Sequence, residues 1–534
     1  MMNKFIKLLG CLGLFGATIP SALALNSSLS DAGIDALRLH DAPYNLLGRK
    51  IGIGQVEIGR PGKIGIDKIV SRINQVLPKA VFFRDQIARA DADVDNHAVM
   101  VAGVMISQNK NAKGVAPLAR LYATAVGSFR DGGQPEECLA SQHIANQNSG
   151  DIRAINFSFG ESLDRDTREE AKLDGKALLT ECVDWSARVH DSLYVVAGNQ
   201  GKGGIPIPTD NFNGVTTAYT TKRKNKFFKV DFANLSALPI GIGRTTIRKE
   251  INHGDRRAIS LLAPGSQISV PNEKGKLEKV SGTSFAAPHI TASIALLQEY
   301  GDRQISKNIE NWSTNARRHE VMKAVLLNSA DKIEDQGDGS LLAMTHTTVT
   351  EQNKTWFDSD AYRNPRIPLD IQMGTGQLNA FRAYQQFSSG QISPEKLAPP
   401  VGWNYGQIDA QEEQDYYLQK PLQAGTYAMV TLTWDRLVKL NDLNSNNQFD
   451  LGETFRDRGL NNLDLYLIPA DESSSLRNSC SSLSYEDSVE HIFCPIPKTG
   501  RYKIRVNYRR QINEPKQNYG LAWWTADQTK NDQP

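Results

Sequence analysis

A serine, a histidine and a carboxylate occur in three separate stretches of this chain, each where a regular element is expected to begin or end. Ser284 follows a Gly-Thr turn and opens a predicted helix, whose free backbone N–H groups favour an oxyanion. His97 precedes the small-residue run 98–104, which predicts a second helix. Glu57 ends the apolar run 51–56, which predicts a buried parallel strand. In contact, these groups would form a nucleophile, a general base and the group that orients the base.

The serine segment also predicts how its helix packs. The small side chains of Ala286 and Ala287 allow close approach to a neighbouring element. We expect Pro288 in the opening turn of the helix, where its missing N–H would be unpaired in any case. Taken alone, a Gly-Thr-Ser turn is more typical of an ordinary helix N-cap than of a nucleophile. A nucleophilic role for the serine therefore depends on the histidine and the carboxylate.

In chain order these segments resemble the subtilase family of serine endopeptidases. Ser284 lies in a Gly-Thr-Ser-x-Ala-x-Pro motif, and His97 opens a motif ending in Val-Ala-Gly, in which Ala98 and Val99 replace the family's Gly-Thr. Further landmarks follow in the family's order between residues 30 and 386. They are Gly-Val-Ala-Pro at 114–117, Asn-x-Ser-x-Gly at 156–160, Gly-Asn-x-Gly at 198–201, Ala-Pro-Gly at 263–265 and Gly-x-Gly-x-x-Asn at 374–379.

The resemblance implies a fold and an activity. The fold is an α/β, subtilisin-like, doubly wound and mainly parallel sheet. The activity is hydrolysis of peptide bonds in a polypeptide that pairs with the enzyme in extended conformation, and it needs no cofactor. A side-chain amide would help to hold the oxyanion, although an asparagine beside a glycine is also common in plain turns. The catalytic residues implied are Glu57, His97, Ser284 and Asn199, and the substrate-binding residues are Ser158, Phe159 and Gly160.

Glu57 stands where the family carries aspartate. Its side chain is one methylene longer, so the carboxylate reaches His97 only if the backbone retreats or the side chain folds. If Glu57 is not the partner of the histidine, Asp93 and Asp95 are the alternatives. Two other functions remain open: a binding protein of the same fold that has lost turnover through Glu57, and an acyl transferase that passes the acyl group to an amine.

The N-terminus has the pattern of a secretory signal peptide. Lys4 and Lys7 precede the apolar run 8–19, and Ala22-Leu23-Ala24 supplies a small-x-small cleavage site. We predict a signal peptide over 1–24 and a secreted or periplasmic protein that does not associate with the membrane once this segment is removed. Few residues separate it from the first landmark, so we expect folding without a cleaved N-terminal chaperone.

Composition and cysteines narrow the class further. The chain has 534 residues, of which 22% are charged, and its net charge of +2 gives no electrostatic reason to expect nucleic acid. Four cysteines remain after the signal peptide, and an exported protein favours the disulfides Cys138–Cys182 and Cys480–Cys494 over free thiols. No metal-binding spacing accompanies them, which argues against zinc. We expect a monomer.

Three regions follow the signal peptide. The peptidase domain is predicted over 25–387, a Ser-, Gly- and Pro-rich linker over 388–400, and an accessory domain over 401–534. Period-two alternation at 427–432 and 501–508 predicts that the accessory domain is an all-β sandwich. We expect Trp523 and Trp524 to pack within it rather than to bind sugar.

A segment of the accessory domain has the oxygen spacing of a calcium loop. The predicted ligands occupy positions 1, 3, 5, 9 and 12, and Asn447 stands at position 6, where glycine is usual and a left-handed turn is required. The alternative is an Asn-rich solvated loop. The predicted metal ligands are Asp442, Asn444, Asn446, Asp450 and Glu453.

Overall fold

The computed structural model describes residues 24–70, 75–127, 132–169, 171–198, 206–230, 256–471 and 479–526. The predicted signal peptide falls almost entirely outside the described residues, and Asn199 lies outside them too. The helices in these ranges are α1 (Ala24–Leu29), α2 (Leu37–His40), α3 (Asn96–Ile106), α4 (Gln134–Ala145), α5 (Gln147–Gly150), α6 (Leu178–His190), α7 (Thr283–Ser306), α8 (His319–Asn328), α9 (Asp360–Arg363) and α10 (Ala380–Phe387). None of them combines the length and the hydropathy that a membrane crossing requires.

Twenty-four strands lie in the same described ranges. Those before residue 350 are β1 (Gly52–Glu57), β2 (Ala80–Phe83), β3 (Gln86–Ile87), β4 (Gln108–Asn109), β5 (Ala112–Lys113), β6 (Arg120–Ala125), β7 (Ile152–Phe157), β8 (Leu193–Ala197), β9 (Val215–Arg223), β10 (Lys226–Lys229), β11 (Leu261–Pro264), β12 (Ile268–Pro271), β13 (Leu277–Val280) and β14 (Thr347–Val349). Those after it are β15 (Val401–Asp409), β16 (Glu413–Tyr417), β17 (Tyr427–Trp434), β18 (Val438–Asn441), β19 (Thr454–Asp457), β20 (Asn462–Pro469), β21 (Cys480–Ser482), β22 (Val489–Pro495), β23 (Tyr502–Arg510) and β24 (Lys516–Thr525).

The region before residue 388 is built on one mainly parallel sheet, which confirms the predicted α/β class. Its strand order is β14-β10-β9-β8-β7-β1-β6-β2-β3, with β11 beside β9. Strand β1 pairs in parallel with β6 on one side and β7 on the other, so the connections diverge there. In open α/β sheets the crevice at such a switch point, beyond the carboxyl ends of the strands, is where functional groups gather. Glu57 is the last residue of β1.

Side chains of β1 alternate between two apolar layers. Ile53 packs with α3 and α7 on one face, whereas Val56 packs with α4 and α6 on the other. Because successive strand residues point to opposite faces, Gln55 and Glu57 share the face of Ile53. The sheet is covered on both sides, and the strand is buried along its whole length.

The C-terminal region is a sandwich of two antiparallel sheets, as predicted. Their orders are β15-β24-β17-β22 and β16-β23-β20-β21, and they share one apolar core. Trp523 is fully buried in that core, and the ring of Trp524 lies 4.2 Å from the guanidinium carbon of Arg382. Both tryptophans are therefore used in packing.

The two predicted disulfides are present. Cys138–Cys182 joins α4 to α6, and Cys480–Cys494 joins β21 to β22. Each bond lies within a single domain, so the pairing follows the clustering of the cysteines along the chain.

The segment 388–400 is bound rather than extended into solvent. The N–H of Ile392 donates to the carbonyl of Trp403, and the N–H of Ala398 donates to the carbonyl of Tyr417. Beyond it, β24 lies so close to α8 that a Cβ atom on Gly520 would stand 2.5 Å from the carbonyl oxygen of Glu320. Glycine at this position permits the close approach of the two domains.

A buried histidine joins the domains. His319, the first residue of α8, places Nδ1 2.9 Å from Asp191 after α6 and Nε2 3.0 Å from Asp435 after β17. A carboxylate oxygen of Glu320 lies 3.3 Å from Nδ1. Burial disfavours the imidazolium, but the carboxylates of Asp435, Glu320 and Asp191 outweigh it and hold the pKa of His319 well above its ordinary value.

We predict that His319→Gln destabilises the protein by about 3–5 kcal/mol, because it leaves buried carboxylates without their cation. The loss is measured as the difference in unfolding free energy at pH 6, below the ordinary histidine pKa, where the raised pKa contributes fully. The difference narrows as the pH rises through the folded-state pKa. Lys396→Gln, which breaks the exposed pair with Glu310, is the control and changes stability by about 0–1 kcal/mol. Equal effects of the two substitutions would contradict this assignment.

Candidate active site

The carboxylate and the histidine meet at the end of β1. Helix α3 begins at Asn96, and Asp95 caps it by accepting the N–H of Ala98 at 2.9 Å. This cap places His97 in the first turn, with Nδ1 2.8 Å from Glu57 Oε2. The longer glutamate side chain therefore reaches the ring. Asp93 and Asp95 line the same cleft, but Glu57 is the residue in contact with Nδ1.

Gln55 is a member of this site that the sequence analysis did not single out. Its amide nitrogen donates to Glu57 Oε1 at 3.1 Å and to the carbonyl of Ala98 at 2.9 Å. The available signal was a glutamine within an apolar strand, two residues before the carboxylate and hence on the same face. Buried polar side chains of this kind are usually hydrogen-bonded.

The charge of Glu57 dominates the electrostatics of His97. The carboxylate raises the pKa of His97 to about 9, against partial burial, which lowers it; the hydrogen bond to Glu57 and the nearby charge of Asp95 raise it further. At neutral pH the imidazole is therefore largely protonated. A neutral ring, able to accept a proton, becomes populated as the pH rises toward 9.

Ser284 stands in the first turn of α7, as predicted. The turn is made by Gly282, whose φ of 149° is one that L side chains rarely adopt. The neighbouring Thr283 donates its hydroxyl to the carbonyl of Gly198 at 2.8 Å. Asn199 itself lies outside the described residues, but Gly198, which follows β8 and precedes Asn199, is thus bonded to the serine turn.

The hydroxyl of Ser284 lies 3.4 Å from the carbonyl oxygen of Ser158. No hydrogen bond joins it to the ring of His97 among the described residues. The two side chains share the same cleft, and the ring of Phe285 packs edge-on against His97, with 5.5 Å between centroids. In enzymes without bound substrate, such a hydrogen bond is often long or poorly aligned.

The expectation for Pro288 was wrong. The helix already begins at Thr283, so Pro288 lies inside it and removes the hydrogen bond that the carbonyl of Ser284 would otherwise accept. Ser158 replaces that bond, since its hydroxyl donates to the Ser284 carbonyl at 3.0 Å. Asn156 in turn donates to the Ser158 hydroxyl at 2.9 Å. A chain of side-chain hydrogen bonds therefore holds β7 to the first turn of α7.

These residues surround one open cleft with a volume of about 530 Å³. Of the predicted site, Glu57, His97, Ser284, Ser158 and Phe159 line it, and Gly160 is the next residue of the segment that contributes Ser158 and Phe159. The remaining lining residues are Ile58, Gly59, Asp93, Val94, Asp95 and Gly127. Apart from His97, no side chain among these lining residues is cationic.

The predicted calcium loop connects β18 to β19 and also contacts Gln142 of α4. Asp442 accepts backbone N–H groups from residues 444 to 447, and the amides of Asn444 and Asn446 both lie 2.7 Å from Asp450 Oδ2. Asn447 has a φ of 60°, the left-handed conformation that position 6 requires. Glu453 accepts the N–H groups of residues 443 and 450, so its oxygens would exchange these bonds for an ion. The amide nitrogens of Asn444 and Asn446 thus face Asp450, and the loop is closed by hydrogen bonds among its own residues.

Comparison with known proteins identifies the family to which the chain is similar. The model of the subtilase family of S8 peptidases matches residues 83–350, a segment that includes His97 and Ser284 and begins after Glu57. The chain is 26% identical over 247 residues to the major intracellular serine protease of Bacillus subtilis strain 168, covering 44% of this chain and 66% of that one. It is 24% identical over 244 residues both to Subtilisin Savinase of Lederbergia lenta and to an alkaline protease of Shouchella clausii. Each of these matches covers 44% of this chain, with 77% and 54% of the respective relatives. The chain thus spans about half to three quarters of the length of these relatives.

We predict that Glu57→Gln lowers the pKa of His97 from about 9 toward its ordinary value of 6.5, because the amide keeps the shape of the side chain but removes its charge. The titration is followed by ¹⁵N NMR of the histidines in a Ser284→Ala background. Asp95→Asn is the matched control, since it also removes one charge but keeps a side chain that caps α3, and it should lower the pKa less. A larger shift in the Asp95 variant would contradict the assignment of Glu57 as the partner.

Proposed function

Because the chain belongs to the subtilase family, we propose that it is a serine endopeptidase that hydrolyses peptide bonds with Ser284, His97 and Glu57 as its catalytic triad. The observation that carries the proposal is the 2.8 Å contact between His97 Nδ1 and Glu57 Oε2, in the same cleft as a serine at the start of a helix. That arrangement supplies a nucleophile, a base and a group that orients the base.

In this mechanism the neutral ring of His97 removes the hydroxyl proton of Ser284 as the oxygen attacks the peptide carbonyl. The same ring then donates the proton to the departing amine. Glu57 accepts Nδ1–H, which fixes the tautomer with a free Nε2 and stabilises the imidazolium that forms. The amide of Asn199 and the backbone N–H of Ser284 would hold the oxyanion, and a side-chain donor in such a site contributes about 3 kcal/mol.

The proposed substrate is a polypeptide in extended conformation. Its backbone would pair with the segment 158–160 after β7, and Phe159 would contact an apolar side chain in the cleft. The hydrogen bonds of Ser158 support this role, because they anchor the segment next to the nucleophile. The signal-peptide pattern and the two disulfides support secretion or a periplasmic location, and we propose that the enzyme acts as a monomer.

We predict that a fluorophosphonate labels the wild-type protein and not Ser284→Ala, and that only the wild type digests casein. The value of kcat/KM should rise with pH toward about 9, since only the neutral ring of His97 accepts a proton. Absence of label on a folded wild type would favour the binding protein instead. Labelling followed mainly by transfer of the acyl group to an added amine, with little hydrolysis, would favour the acyl transferase.

We also propose that the loop of Asp442, Asn444, Asn446, Asp450 and Glu453 holds a calcium ion. The position of the Asn444 and Asn446 side chains against Asp450, together with the left-handed turn at Asn447, supports this. The ion would be structural. Phe449, within the loop, exchanges backbone hydrogen bonds with the side chain of Gln142 on α4 and packs against Phe455, so an ordered loop would brace the peptidase domain.

We predict that calcium at about 100 times its Kd stabilises the wild type by about 2.7 kcal/mol, measured by thermal unfolding with calcium and with a chelator. Asp450→Asn should abolish this stabilisation, because the amide supplies no negative charge for the ion. Asp409→Asn, on an exposed strand position of the same domain, is the control and should respond to calcium as the wild type does. A calcium response that survives in Asp450→Asn would place the ion elsewhere.

A further inference from the structure

Each oxygen of the Glu57 carboxylate accepts a hydrogen bond from a different side chain. Among the described residues, two side chains donate to it: the ring of His97 to Oε2 and the amide of Gln55 to Oε1. Both donors come from the same side of the sheet, where α3 packs on β1. Each carboxylate oxygen is therefore bound by one of the two donors.

The orientation of the Gln55 amide follows from its surroundings. Its nitrogen faces two acceptors, Glu57 Oε1 and the carbonyl of Ala98, and an amide turned the other way would place its oxygen against both. The amide oxygen has no hydrogen-bond partner among the described residues, although the side chain is fully buried. A buried acceptor without a partner destabilises a fold, so this glutamine lowers the stability of the protein while it supplies its two hydrogen bonds.

The length of the glutamate side chain gives the Gln55 amide a role in orienting the carboxylate. Compared with aspartate, Glu57 has one more rotatable bond between the backbone of β1 and the carboxylate, and so more orientations that miss His97. A donor on Oε1 removes most of that freedom. The second hydrogen bond of the same amide reaches Ala98, the residue next to His97, and so fixes the first turn of α3 relative to the carboxylate.

We propose that Gln55 is the positioning residue of this active site: by binding Glu57 Oε1 and the Ala98 carbonyl together, it holds the glutamate carboxylate against His97 Nδ1. The inference rests on the proposed function for its effect on catalysis, but its structural part does not. Gln55 touches neither the substrate nor the hydroxyl of Ser284. It acts through Glu57, and its effect should disappear when Glu57 carries no charge.

The test is a double-mutant cycle with Gln55→Met, which keeps the length and the volume of the side chain but removes both donors. In the Glu57 background we expect kcat to fall on the order of 10–100-fold with KM nearly unchanged, because the base is misplaced by a fraction of an ångström or more. We also expect the pKa of His97 to fall. In the Glu57→Gln background, Gln55→Met should change kcat less than threefold.

A matched control separates positioning from packing. Gln386→Met removes a fully buried glutamine amide of α10, which donates to the carbonyls of Gly402 and Trp523, and it should lower thermal stability without changing kcat or the pKa of His97. If Gln55→Met does not fold, Gln55→Asn provides the same comparison, since its amide is one methylene too short to reach both acceptors.

The experiment distinguishes failure of the positioning role from failure of the proposed function. If the wild type is labelled by a fluorophosphonate but Gln55→Met is labelled equally fast and keeps the pKa of His97, the positioning role is wrong and the proposed function stands. If the wild type is not labelled at all, the proposed function fails. The pKa of His97 in the Ser284→Ala background then still decides whether Gln55 orients Glu57: a lowered pKa in Gln55→Met supports the role, and an unchanged one overturns it.

Discussion

A buried negative charge at the end of the central strand determines the arrangement of the cleft. Glu57 is almost inaccessible to solvent, and an ionised carboxylate in that position is costly unless it is paired and hydrogen-bonded. Strand β1 is fixed by its pairing with β6 and β7, so the carboxylate cannot move toward its hydrogen-bond donors. The donors must instead be placed next to the carboxylate by the elements that carry them. The cap of α3 brings His97 to one oxygen, and alternation along β1 brings Gln55 to the other.

Ser284, the proposed nucleophile, is held by a second set of contacts that does not depend on this charge. Pro288 interrupts the hydrogen bonding of α7 one turn after Ser284, which leaves a carbonyl free at the first turn. Because Ser158 donates to this carbonyl and Asn156 donates to Ser158, the strand end proposed to bind substrate is bonded to the helix that carries Ser284. If the segment after β7 binds substrate as proposed, the register of the substrate and the position of Ser284 depend on the same hydrogen bonds.

Sequence patterns predicted the features that are local. Motif spacing, sequence period and cysteine clustering are short-range signals. They predicted the helices that carry His97 and Ser284 in their first turns, the buried strand ending at Glu57, the disulfide pairs and the sandwich. Three features could not be read in this way, because each joins residues distant along the chain. Glu57 contacts His97 only because α3 packs against β1. Pro288 is tolerated inside α7 because Ser158 donates to the carbonyl that the proline leaves without a partner. His319 connects the two domains because Asp191 and Asp435 lie on either side of its ring. A glutamine in an apolar strand was a usable signal for Gln55, but only once its strand face was known.

The accessory domain is bound to the peptidase domain too extensively to act as an independent module on a flexible tether. Thr431 of β17 donates to the side chain of Asn328 on α8, and Gln386 of α10 donates to carbonyls on β15 and β24. Buried hydrogen bonds of this kind would each be left unsatisfied if the domains separated, which costs far more than the loss of an exposed contact. The segment 388–400 is itself hydrogen-bonded to the sandwich, so it cannot lengthen to let the two domains separate without losing these bonds. Unfolding of the sandwich is therefore expected to expose α8 and α10, two helices that cover the same core as α7, the helix of Ser284.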